Sequence, residues 1–143
     1  MTGRIPFDPE YVAKLGRFIY AVTYLEWSLL GDLSSIPDLP AVLSLQELAG
    51  CTTGGIARRV TDNIAAVTDP RASRFLATAA NHLREVAVMR NDVLHARPAT
   101  VDGKQRLYRW LPGRSFAVSD AWLDEQIADV ERREAEVSGL RVI

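Results

Sequence analysis

Met89-Arg90-Asn91-Asp92-Val93-Leu94-His95-Ala96-Arg97-Pro98 closes a long amphipathic segment and sets a cation on its oily stripe. At roughly 100° per residue, Arg90 shares one narrow sector with Ala72, Leu76, Ala79, Leu83, Ala87 and Leu94. That sector is the face a helix turns toward a core. An unpaired buried guanidinium is costly, so the pattern calls for an anionic partner, a wet cleft or a ligand. Pro98 places the helix end near Arg97, because the residue before a proline leaves the helical region.

The expected partner lies in the first amphipathic segment, where Tyr11, Leu15, Phe18, Ile19, Val22, Leu25, Leu29 and Leu33 share a face. Glu26 sits within that stripe, so a Glu26–Arg90 pair inside or at the rim of a helical bundle is the expectation. Asn91 and His95 are neighbours on a helix surface, which would let the Asn91 amide hold the imidazole in one orientation. Arg90 and His95 lie about 140° apart on an ideal helix. They converge only where the helix ends or the arginine reaches round.

Arg90-Asn91-Asp92-Val93-Leu94-His95 resembles the Arg-x(4–6)-His signature of the HEPN superfamily, including the polar residue that often follows the arginine. The resemblance implies a mainly α protein, a HEPN-like four-helix bundle whose third helix ends in the motif. It implies a metal-independent endoribonuclease or RNA-binding effector, of the toxin and defence kind, with an antitoxin protein as a partner. It also implies a homodimer that sets two motifs across one cleft. Catalytic roles would fall to Arg90, His95, Asn91 and Glu26.

Along the chain, residues 1–7 read as a loose arm, and Asp8-Pro9 starts a helix with an acid cap followed by proline. A single domain is expected, with helices over 8–33, 53–67, 70–95 and 119–138. A β-hairpin over 99–111 turns at Asp102-Gly103 and is inserted between the third and fourth helices. From Arg97 to Arg114 the basic residues Arg97, Lys104, Arg106, Arg109 and Arg114 face one acid, Asp102. Arg97, Lys104, Arg106, Arg109 and the aromatics Tyr108 or Trp110 are therefore the expected RNA contacts, through phosphates and stacking. The final residues, 139–143, read as a loose tail, and His82 as an ordinary surface residue.

Bulk properties agree with a single globular unit. Of the 143 residues 48% are hydrophobic and 24% charged, with a net charge of −1, so any polyanion site must be local. One cysteine, Cys51, excludes a disulfide framework and a cysteine-rich zinc site, and no metal or cofactor is expected. No signal-like start and no long apolar run appear, so the expectation is a cytoplasmic chain with no membrane partner. His82 and His95 have no metalloprotease spacing, and the loop at Gly54-Gly55 lacks the lysine of a phosphate loop.

RNA carries its own nucleophile, so cleavage needs a proton acceptor, a proton donor and a cation, which histidine and arginine supply. The same residues also admit a structural reading. Arg90 and Glu26 can form a purely structural pair, His95 can simply terminate a helix, and charge can protect a sheet edge. The alternative function is a catalytically silent HEPN-like domain that binds nucleotide or protein, or serves as a dimerisation module.

Overall fold

A computed structural model describes residues 7–142 of the chain, and the arm expected over residues 1–7 lies outside them apart from exposed Phe7. Each main helix starts on a side chain that satisfies the first free N–H groups. Asp8 accepts from Glu10 and Tyr11 to open α1 (Pro9–Leu30). Ser44 caps the single turn α2 (Leu45–Leu48), and Thr52 caps α3 (Thr53–Asn63). Asp69 caps α4 (Pro70–Leu94) and Ser119 caps α5 (Asp120–Ser138).

Two of the expected helices end early. The first stops at Gly31 rather than 33, and Leu33–Ser35 form a 3-10 turn in which Leu33 stays buried. Glycine and aspartate are weak helix formers, and the carboxylate of Asp32 is committed to a two-pronged bond from Arg141 at 2.9 Å per prong. That bond also corrects the expectation of a loose tail: Arg141 is tied down, and Leu140 and Val142 pack on the core. The second helix ends at Asn63, whose side-chain amide donates to the Arg59 carbonyl, and Ile64–Ala66 continue as a 3-10 turn.

The hairpin is present and is part of a larger sheet. Strands β1 (Arg97–Val101), β2 (Lys104–Arg109) and β3 (Phe116–Val118) pair antiparallel in the order β1-β2-β3. Asp102 and Gly103 both adopt positive φ, 51° and 75°, as a tight two-residue turn matched to strand twist requires. The third strand was not expected, because three residues are too few to display alternation.

The architecture is mainly α with a small antiparallel sheet. Helix α1 lies against α5, and α3 lies against α4. The α1 face is buried as expected at Tyr11, Phe18, Val22, Leu25 and Leu29. Trp122 of α5 joins the layers, with ring centroids 6.1 Å from Phe18 and 5.6 Å from Phe116 of β3. The Tyr11 hydroxyl donates to the Val118 carbonyl at 2.5 Å and accepts from the Leu107 N–H at 3.0 Å, so α1 is stitched into the β2–β3 pair. No helix among the described residues is long and apolar enough to cross a membrane.

Candidate functional site at the end of helix four

The apolar stripe of α4 holds through Ala72, Phe75, Leu76, Ala79, Leu83 and Ala87, all buried, and then leaves the core. Leu94 is 47% exposed and Arg90 is only half-buried. The guanidinium therefore reaches solvent and needs no buried counter-charge. The expected Glu26–Arg90 pair is not formed: no ion pair within 4.0 Å joins them. Glu26 instead accepts a hydrogen bond from Thr53 Oγ1, beside the start of α3. That helix start meets α4 directly, since a Cβ on Gly54 would lie 3.6 Å from the Ala87 methyl. Glu26 and Arg90 thus flank one junction without touching.

Asn91 does not orient His95. Its Oδ1 accepts a long 3.5 Å hydrogen bond from Arg90, and its backbone carbonyl accepts the His95 N–H at 2.9 Å. His95 is the C-cap of α4 and is exposed, and among the described residues its ring makes no hydrogen bond. Arg97 folds back on the helix end and donates to the carbonyls of His95 and Ala96 at 3.2 and 3.4 Å. Both bonds come from Nη1, and the carbonyls do not neutralise the charge.

The sheet is where the structure most changes the sequence reading. Arg106 is 7% exposed, so it is not an open phosphate contact. It lies 3.3 Å from Asp8 and 2.8 Å from Asp120, and its guanidinium stacks 4.3 Å above the Tyr11 ring. Asp8 and Asp120 stand at the N-terminal ends of α1 and α5, so Arg106 ties two helix starts to the sheet. Desolvation works against ionisation of Asp8, but the Tyr11 and Glu10 N–H groups and the Arg106 charge prevail and hold its carboxyl below the ordinary range. Arg109 is also committed, at 3.3 Å from Asp92.

Asp92 is the residue the sequence reading passed over. It is buried, and its Oδ1 also accepts from Arg114 Nη2 at 2.8 Å. The signal was available in the charge count: five basic residues against one acid over 97–114 demand carboxylates from outside that segment. Asp8, Asp92 and Asp120 are acids at the helix ends that border the sheet.

Comparison with family models, curated proteins and solved structures gives no match. The site therefore stands on its geometry. The pairing Arg97↔Tyr108 places the first residue of β1 across from an aromatic ring. That ring packs at a 47° tilt against Trp110, 4.4 Å between centroids, and Trp110 is 65% exposed. Lys104 is exposed at the far end of β2 with no carboxylate within ion-pair range among the described residues. His82 is no ordinary surface residue: Nδ1 accepts from Arg133 at 2.9 Å and Nε2 meets Glu136 at 3.0 Å, joining α4 to α5 on another part of α4.

Proposed function

We propose that this chain is a metal-independent endoribonuclease or RNA-binding effector that uses the end of α4 and the edge of the sheet. One observation carries the reading. In the segment from Arg90 to Arg114, Arg106, Arg109 and Arg114 are paired with Asp8, Asp92 and Asp120, whereas Arg90, Arg97 and Lys104 have no carboxylate partner among the described residues. Arg90 and Arg97 bracket His95 in sequence, and its exposed imidazole has no competing hydrogen bond among the described residues. A phosphate backbone is recognised by accessible cations.

In the proposed reaction the ribose 2′-oxygen attacks the adjacent phosphorus and the bond to the 5′-oxygen breaks, leaving a cyclic phosphate and a free hydroxyl. His95 takes the 2′ proton or delivers one to the departing oxygen, and Arg90 and Arg97 stabilise the charge on the phosphorane oxygens. A single His95 performs one of the two transfers. The reading therefore includes a homodimer that brings a second His95 to the cleft, an expectation drawn from the HEPN resemblance, as is an antitoxin partner.

The test is cleavage of single-stranded RNA in the presence of a chelator by wild type, Arg90→Ala and His95→Ala. General acid–base catalysis contributes about 10²–10⁴-fold, so His95→Ala should lose at least the lower figure with binding retained. Equal cleavage by His95→Ala and wild type sinks the assignment. A second reading has its own support: Tyr20, Tyr24 and Trp27 form an exposed aromatic ridge on α1 beside Glu134 of α5. That ridge favours a catalytically silent protein-binding domain, and a chain that neither cleaves nor binds RNA would point to it.

A further inference from the structure

We propose that Asp92 is a positioning residue, which clamps the sheet against the last turn of α4 so that Trp110 is held as a stacking surface for one unpaired base of the RNA. The proposal rests on the RNA reading above and adds to it a residue and a substrate feature. Asp92 stands three positions before His95, so it shares the last turn of α4 with the motif histidine. Its carboxylate is buried, and a single oxygen holds Arg109 at the end of β2 and Arg114 in the loop that leads to β3. Trp110 lies between those two arginines in sequence, immediately after β2. The clamp therefore fixes both flanks of the segment that carries the indole.

The indole itself is built to be used from outside. Its ring packs tilted, at 47°, against Tyr108 with centroids 4.4 Å apart, and the residue remains 65% exposed. Tyr20, Tyr24 and Trp27 are exposed as well, but Trp110 is the one paired with the ring that lies across from Arg97. The strand pairing places Arg97 across from Tyr108, so a phosphate held by Arg97 would leave its base within reach of the Tyr108–Trp110 pair. Base stacking on an aromatic ring needs a base free of pairing, so the substrate segment is single-stranded or looped out.

The probes are a short 2′-O-methyl oligouridylate, which lacks the nucleophile and is not cleaved, and a set of the same chain with one abasic residue at each position in turn. The readout is the ratio of affinities for intact and abasic chains, because changes in general phosphate attraction cancel in it. Wild type should bind the chain with one particular abasic position about 5- to 100-fold more weakly than the intact chain. Trp110→Ala should abolish that ratio, and Trp110→Phe should retain most of it. Asp92→Asn should abolish it as well. Arg114→Gln, a change at a side chain 54% exposed, should reduce it. A wild-type ratio that survives Trp110→Ala removes the stacking surface. A ratio lost in Trp110→Ala but intact in both Asp92→Asn and Arg114→Gln removes the positioning role and leaves the RNA reading standing. Wild type that binds none of the chains overturns both.

Discussion

Arg106 and Arg97 belong to the same small sheet and have opposite fates. Arg106, in the middle strand, is walled in by Tyr11 of α1 and lies between Asp8 and Asp120. Arg97, at the first position of the outer strand, bonds among the described residues only to carbonyls of the helix end and keeps its charge. A count of basic residues treats the two alike. Position in the sheet decides which charge is spent on the fold and which is left for a ligand, because a central strand is covered by the bundle and an edge is not.

The sharpest way to break that comparison is Arg106→Leu. It leaves Asp8 and Asp120 facing each other without a cation, and urea unfolding should show a loss of about 2–3 kcal/mol. The partners are partly solvated, which keeps the figure below that of a fully buried pair. Asp92→Asn comes next, at about 1–2 kcal/mol by the same measurement. It keeps the shape and removes the charge that Arg109 and Arg114 share.

A smaller effect belongs to the α4–α5 joint. Burial disfavours ionised Asp129, but the hydrogen bonds and charges of Arg133 and Arg132 outweigh it and lower its carboxyl below the ordinary 3.8. A depressed folded value means the stabilisation is complete above the unfolded value and fades as pH falls through and below it. The melting temperature should therefore fall below pH 4 less steeply in Asp129→Asn than in wild type. Smallest in stability are Arg97→Gln and Lys104→Gln, within about 0.5 kcal/mol of wild type. Each should nevertheless lower the salt-dependence slope of RNA binding by about 0.7. An unchanged slope for both would assign the RNA footprint to another face.

The sequence was most informative where periodicity is long. The α1 and α4 faces, the acid-proline start of α1 and the Asp102-Gly103 turn were all legible, because each rests on local geometry. The three-residue β3 carried no periodic signal. The Glu26–Arg90 pair failed for a definite reason: helical arithmetic gives the angular sector of a residue but not the point along the axis where the bundle stops covering it. Arg90 lies one turn past Ala87, the last covered position on its stripe. The sheet arginines were misassigned because their partners are distant in sequence, and no spacing rule connects Arg106 to Asp8.

The hydroxyl of Tyr11 reaches across 107 positions of sequence to the backbone of Val118 and also takes the N–H of Leu107. A chain made from its N-terminus has α1 long before it has a β2–β3 pair for that phenol to grip. Closing so large a loop late is entropically slow. During synthesis the part of the oily face of α1 that α5 and the sheet cover stays open to water until those elements have left the ribosome.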